Sequence, residues 1–385
     1  MRGINRSAIL DIIRRESPIS RVAIAQKLGV SLPTVMRIVD DLIAEGLVRP
    51  QGTTEWSGGR RRALLEFNAN GHVVIGVDLG GTRLYGAIAD LGGKILQEVE
   101  LSRHRLSGEE IYGCLEDVIE RLLKSPELHD RRLYGIGVGA PGVTLHREGI
   151  VTWAPSLDWR DYPLKAKLTE RFALPVMVDN DLNLATLGEY WFGAGQNTQT
   201  MALIVVGAGL GSGIIINGAL YRGAHEASGE VGDVIPGREF LSRRYDGFGA
   251  LESQVSGTGV VRRAREALKD QLSPAELVDL TAEVVFEARE RGLPWATKII
   301  DEALEYLAIM VANIAALLDP DLIVLGGGTI TSSDLAAPVA RLIAGTMPVQ
   351  PNLVPSQLGY RATVLGAVVN VLHNSEDFYR VHKLS

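Results

Sequence analysis

The sequence predicts an α/β chain made of a small N-terminal winged helix-turn-helix and a larger two-lobed body. Three observations carry this. Short capped helix patterns and a turn-rich arginine segment fill residues 1–67. A glycine-dense hairpin pattern occurs twice in the remainder, and the two parts differ in charge. At 385 residues the chain is long enough for two or three domains. The divisions expected are the winged helix-turn-helix at 1–67, a smaller lobe at 72–183 completed by 370–385, and a larger lobe at 184–369.

The head comes first. Asn5 is placed to cap a helix with Ile9, Leu10, Ile12 and Ile13 in one stripe, ending before Ser17-Pro18. Ser20 caps a second helix that turns Val22, Ile24, Ala25 and Leu28 inward and stops at Gly29. Ser31 caps a third, with Pro33 in its first turn, where a missing N–H costs nothing. That helix buries Val35, Ile38, Val39, Leu42 and Ile43 and stops at Gly46. Helix, glycine turn and helix in this spacing predict a helix-turn-helix whose last helix enters the DNA major groove. Leu32, Thr34 and Arg37 stand near the N-terminal end of that helix, where base edges are reached, so Ser31, Thr34 and Arg37 are its candidate DNA residues. The stretch QGTTEWSGGRRR followed by ALLEF reads as a β-wing, with Arg60, Arg61 and Arg62 available to phosphates or a narrow minor groove. The alternative is a small dimerisation module with a solvated basic loop. Caps, turn, recognition helix and wing agree on DNA.

Charge points the same way. Residues 1–62 hold 11 Lys and Arg against 6 Asp and Glu, a net of +5; the rest hold 28 against 40, a net of −12. A basic head on an acidic body is expected to meet a polyanion through the head. The single cysteine, Cys114, excludes an internal disulfide and a multi-cysteine zinc site. No run of 18 apolar residues occurs, and the N-terminal apolar stretches are short and charged. The expected setting is cytoplasmic, without membrane contact.

The body opens on the buried run Val73-Val74-Ile75-Gly76-Val77, the tight turn Asp78-Leu79-Gly80-Gly81-Thr82, and a returning strand from Leu84 to Ala89. Glycine turns of this kind let backbone N–H groups approach a phosphate. Thr82 adds a hydroxyl, and Asp78 is suited to a hydrated magnesium ion. Residues 203–223, LIVVGAGLGSGIIINGALYRG, repeat the pattern about 125 residues on. A third segment, DPDLIVLGGGTI at 319–330, ends a strand in glycines suited to pass under an adenosine. Hairpins facing one another across a cleft form the phosphate clamp of the actin-like, sugar-kinase fold. Between them, Asp179, Asn180, Asp181 and Asn183 crowd the end of an apolar strand just before a helix. Such a cluster suits a polyol, with one carboxylate as general base toward a hydroxyl. One of the four also suits the cap of the following helix.

Taken together, DLGGT (78–82), GAPGV (139–143), APSLDW (154–159), VDNDLN (178–183), GAGLGSG (207–213), GEVGD (229–233) and LGGG (325–328) resemble the ROK family of repressors and sugar kinases, over essentially the whole chain. The resemblance implies Asp181 as the catalytic base in kinases and a sugar-hydroxyl acceptor in repressors. It implies sugar contacts from Asn180, Glu230 and Glu252. It places Asp78, Gly80, Thr82, Gly209 and Gly211 around nucleotide phosphates, with Gly326 and Gly327 under the adenosine.

This chain departs from the family in several places. Asp233 stands where the family carries a histidine that touches sugar and a structural zinc. Arg243, Tyr245 and Ala250 replace the zinc cysteines, so no structural zinc is expected, and Phe240, Leu241, Tyr245 and Phe248 are expected to hold the 234–250 loop by packing. Ser156 replaces an asparagine of the sugar pocket, and Ala208 a threonine of the second phosphate loop. A changed hydrogen-bond code implies a changed sugar preference.

The function expected is a sugar-responsive transcriptional regulator, a repressor of carbohydrate-metabolism genes, acting as a homodimer or higher oligomer on operator DNA with a monosaccharide or sugar-derivative effector. The alternative is an ATP-dependent sugar kinase with a DNA-binding head, for which Mg-ATP would be the cofactor. A protein-docking module on the old kinase cleft is a third reading.

Overall fold

The computed structural model describes residues 2–51, 63–81, 83–102, 106, 108–241, 249–327 and 335–374. Its first helix, α1 (Arg2–Glu16), begins ahead of the cap expected at Asn5, which lies inside the helix instead. No proline interrupts residues 2–5, so the helical ladder extends through them. Strand β1 (Ile19–Ser20) leads into α2 (Arg21–Leu28), where the Ser20 side chain accepts from the Ala23 N–H. Gly29, at φ 63°, closes that helix by donating its N–H to the Ala25 carbonyl. Helix α3 (Leu32–Ala44) is capped by Ser31, which accepts from Thr34 N–H, with proline in its first turn. Strands β2 (Val48–Gln51) and β3 (Leu64–Phe67) pair antiparallel and, with β1 on the far side of β3, form the base of the wing. The wing tip, with Arg60, Arg61 and Arg62, lies outside the described residues.

The first lobe is a five-stranded sheet in the order β11-β7-β4-β5-β6. Strands β4 (His72–Asp78), β5 (Arg83–Asp90) and β6 (Ile95–Ser102) form an antiparallel meander. Helix α4 (Gly108–Leu123) follows, and β7 (Arg132–Ala140) lies parallel to β4. A small three-stranded sheet of β8 (Val143–Leu145), β9 (Ile150–Ala154) and β10 (Trp159–Tyr162) then leads through α5 (Leu164–Phe172) to β11 (Val176–Asn180), parallel to β7. Apolar side chains of α4 and α5 cover one face of the sheet.

Helix α6 (Asp181–Phe192) starts directly at the end of β11. The second sheet repeats the topology of the first: β12 (Met201–Val206), β13 (Leu210–Ile216) and β14 (Ala219–Leu220) form the meander. Helices α7 (Glu252–Val255), α8 (Gly257–Leu268), α9 (Pro274–Val278), α10 (Ala282–Glu290) and α11 (Pro294–Leu318) follow. Strand β15 (Leu322–Gly326), parallel to β12, then α12 (Ala336–Ile343) and β16 (Leu353–Pro355), parallel to β15, complete the lobe. The hairpin repeat read from the sequence is thus a repeat of whole sheets, since the same order recurs as β14-β13-β12-β15-β16.

Helix α13 (Ala362–Asn374) crosses back and packs on α6 and on strands β4 and β7. The lobe boundary placed at 370 falls inside it. Its Val364, Leu365, Val368 and Leu372 join a core shared with Ile9, Ile13, Ile24 and Leu42 of the head, so the head is built onto the first lobe's back face. Phe240 is buried and meets Tyr306 edge to face at 5.8 Å, a packing anchor for its loop. Leu241 is 69% exposed and does not serve as one, because the short turn at 238–240 spends its inward direction on Phe240. Tyr245 and Phe248, like Arg243, lie outside the described residues. Among the described residues, no helix is long and apolar enough to cross a membrane.

Candidate functional site

The residues at the end of β11 divide their work. Asn180 is the cap of α6: its side-chain oxygen accepts from Asn183 N–H at 3.0 Å, and its amide donates to the Gly142 carbonyl at 2.9 Å. Asp181, one residue later, accepts the adjacent Leu182 N–H at 2.8 Å and its own N–H. Asp179 is fully buried and takes no part in a polyol cluster. It receives Arg222 through both oxygens, at 2.9 and 2.6 Å, and Asn183 at 3.4 Å. The alternation of a strand turns Asn180, the last residue of β11, to the face opposite Asp179, and Asp181 leaves the strand as the first residue of α6. Arg222 also meets Glu226 at 3.3 Å, which in turn meets His146 at 3.1 Å, so this network ties the second lobe to β11 and to the small sheet. Arg222 was not legible as a partner because it lies 43 residues from Asp179. The signal present was a charged residue inside the apolar run VMVDN, which requires one.

Acidic groups converge around Asp181. Burial and the charge of Asp181 push Asp78 up to about 8 against the pull of Arg83, and burial pushes Asp181 up to about 6. Glu230 opens onto the same cleft and is raised by its enclosure and by Asp233, Asp181 and Glu252. Asp233 ends the short turn Val231–Asp233 and is exposed. Glu252 is raised by burial, and its two oxygens accept Leu210 N–H and Gly249 N–H, each at 3.2 Å. It therefore braces the turn between β12 and β13 from below. Ser156 lies exposed in the turn Pro155–Leu157 after β9.

A raised carboxylate binds its proton more tightly folded than unfolded. Asp78 therefore favours the fold below about pH 4, and that contribution is lost as pH rises toward about 8. Asp78→Asn is expected to melt above wild type at alkaline pH and to flatten the decline, as read by thermal denaturation across the range. Parallel curves for the two proteins would contradict the assignment.

The glycine turns come together as well. A methyl placed on Gly81 of the first turn would lie 3.9 Å from Ala208 of the second, so the two hairpins face one another across a narrow cleft. Gly80 closes the first turn beside Asp78, and Thr82 lies outside the described residues. Gly209 leaves room for the Glu252 carboxylate, and Gly211 for Leu182 of α6, so each has a packing reason of its own. Gly327, after the last residue of β15, Gly326, passes against the Val206 carbonyl. The apposed turns are where a nucleotide's phosphates would lie, and Asp78 is the residue that would face its hydrated magnesium. Among the described residues, no cluster of three or more His, Cys, Asp or Glu could hold a metal directly.

At the opposite end, α3 presents Leu32, Met36 and Arg37 outward, with Met36 47% exposed and Arg37 only loosely paired to Asp41 at 3.7 Å. Thr34 shares a 2.7 Å hydrogen bond with Ser31 at the helix start.

Comparison with known proteins agrees with this fold. The ROK family matches residues 74–374, and a winged helix-turn-helix DNA-binding family matches residues 4–49. The chain belongs to the ROK family. It is 30% identical to a putative xylose repressor of Caldicellulosiruptor sp. (strain Rt8B.4), over 98% of both chains. It is 35% identical to a glucokinase of Halalkalibacterium halodurans, over 68% of this chain and 81% of that one. Among solved structures, a ROK family transcriptional regulator described as a homolog of the E. coli MLC protein superposes with TM-score 0.78, at 24% identity, over 97% of this chain and 96% of that one. A Streptomyces griseus ROK glucokinase in complex with glucose and AMPPNP superposes with TM-score 0.67, at 29% identity, over 77% and 98%. The repressor relatives span the head; the glucokinases match the body.

Proposed function

We infer that this ROK protein is a sugar-responsive transcriptional repressor whose winged helix reads an operator and whose cleft binds a monosaccharide. The observation that carries the reading is the joining of an exposed recognition helix to a sugar-kinase-like body through one shared core. In the cleft, Asp181 accepts a sugar hydroxyl. Asn180, Glu230, Asp233, Glu252 and Ser156 supply or orient the remaining polar contacts. On DNA, Arg37 and Thr34 face base edges while Ser31 shapes the helix start, and Arg60, Arg61 and Arg62 neutralise phosphates. Two heads in a homodimer engage half-sites about one helical turn apart, so a modest change in their spacing breaks simultaneous binding. The named relatives make D-xylose and D-glucose the first sugars to try.

The test is a duplex selected from a random library on the full-length protein, with its affinity then measured by anisotropy with and without each sugar. Failure of any monosaccharide to change that affinity would overturn the reading. On the same duplex, Arg37→Ala is expected to lose about 1–3 kcal/mol of specific affinity and relax one position of the site. Unchanged binding would remove α3 as the recognition helix.

A second reading, sugar kinase activity, is favoured by the apposed glycine turns and by Asp78 beside Asp181. It predicts sugar-dependent ATP turnover that both Asp181→Asn and Asp78→Ala eliminate. A pure repressor would lose its sugar response in the first variant only.

A further inference from the structure

We propose that the head senses the sugar cleft through α1, which docks on the C-terminal ends of α6 and α13, with Arg14 and Arg15 as the positioning residues. This rests on the repressor reading above and names the contact through which it works.

Helix α6 has its first residue, Asp181, in the sugar cleft and its last turn under the head. Trp191 lies ten helical steps beyond Asp181, about 15 Å of helix at 1.5 Å per residue. A rigid helix of that length carries a displacement at one end to the other. At the far end, the Arg14 guanidinium lies over the Trp191 ring, 3.9 Å from its centroid, and donates to the Trp191 carbonyl at 3.2 Å. Arg15 donates to the Tyr190 hydroxyl at 2.7 Å. The same turn of α1 reaches α13: Asp11 meets His373 at 3.2 Å, and His373 meets the edge of Trp191 at 4.9 Å. One turn of the head therefore touches both helices that run between the lobes.

Those helices cross with almost nothing between them. A methyl on Gly366 would lie 1.7 Å from the Leu184 carbonyl, and one on Gly188 2.1 Å from the Ala362 carbonyl. Backbone against backbone, the pair has no soft side-chain layer to absorb a shift, so a change in lobe angle must appear at its ends. Glu189, buried on α6, also binds the second lobe's return loop, accepting Ser356 Oγ at 2.5 Å and Leu358 N–H at 2.9 Å. The C-terminal end of α6 is thus held to the second lobe while α1 belongs to the head.

The experiment uses full-length protein, the selected duplex, and D-xylose and D-glucose as probes. The readout is the ratio of DNA dissociation constants with and without sugar, which for ordinary allosteric coupling is about 5- to 150-fold. In Arg14→Gln/Arg15→Gln that ratio is expected to fall to about 1–2, while sugar still raises the melting temperature. His373→Gln, which leaves both arginines in place, is expected to lower the ratio partway. Amide hydrogen exchange on wild type is expected to show sugar-dependent protection changes in residues 11–16 and 188–193 together. A double variant that keeps the wild-type ratio, or exchange in which residues 11–16 ignore a sugar that alters DNA affinity, would overturn the proposal. A wild type whose DNA affinity ignores these and every other monosaccharide would instead overturn the repressor reading beneath it.

Discussion

Asp181→Asn is expected to abolish the sugar-dependent change in DNA affinity while leaving sugar-free DNA binding at the wild-type level. The substitution keeps the shape of the side chain and removes its charge. Hydrogen bonds to charged groups contribute about 1.5–3 kcal/mol, so sugar affinity should fall by about 10- to 150-fold. The fold should tolerate the change. Asp181 accepts local backbone hydrogen bonds, from Leu182 N–H and from its own N–H, which the asparagine oxygen can also accept, and the variant relieves the like charge that raises Asp78. Isothermal titration with the responding sugar and anisotropy with the operator measure the two halves separately. Full retention of the sugar response in Asp181→Asn would remove the β11–α6 junction as the effector site. Asp78→Ala is the companion: it should leave the response nearly intact, because Asp78 faces the phosphate turns. If the chain turns over ATP, loss of the general base should cost about 10² to 10⁴ in rate.

Arg222→Ala is expected to have the largest effect on stability. The Asp179 side chain is 0% exposed and that of Arg222 18%, and their pairing is bidentate. Removing one partner of such a pair leaves a buried charge unpaired, at a cost of about 3–5 kcal/mol. The Asp179→Leu/Arg222→Met pair, apolar and of similar bulk, should recover much of that loss, because it removes both desolvated charges together. Calorimetric scans of Asp179→Leu, Arg222→Met and the pair form the cycle that isolates the interaction. If Arg222→Ala melted within a degree or so of wild type, the network joining β11, Arg222, Glu226 and His146 would be surface decoration rather than a tie between lobes.

Much of the chain was legible one segment at a time. Ser20 and Ser31 cap the helices they were expected to cap, Gly29 ends α2 in the left-handed conformation, and Val35, Ile38, Val39 and Leu42 of α3 are buried, with Ile43 half-buried. Each of these depends on residues within a turn or two of one another. The glycine hairpins at 78–82 and 206–210 were legible for the same reason, as sharp reversals between buried strands. Asn5 misled because a cap-forming residue was weighed without a signal that the helix had to start there. Leu241 misled because hydrophobicity alone does not say which of two adjacent residues a short turn aims inward.

By itself, then, the sequence determined the elements, their caps and turns, the family, and the pairing of a DNA-binding head with a sugar-kinase-like body. Local propensity, period and turn chemistry act over a few residues and leave their marks in the string. Only the tertiary structure decided that Asp179 is buried against Arg222, that Glu252 braces the turn between β12 and β13, and that Arg14 and Asp11 rest on Trp191 and His373. Those partners lie 42 to 362 residues apart. Over such separations no local preference selects a partner. The choice belongs to the register of the sheets and to the close crossing of α6 and α13, which bring distant side chains to one place.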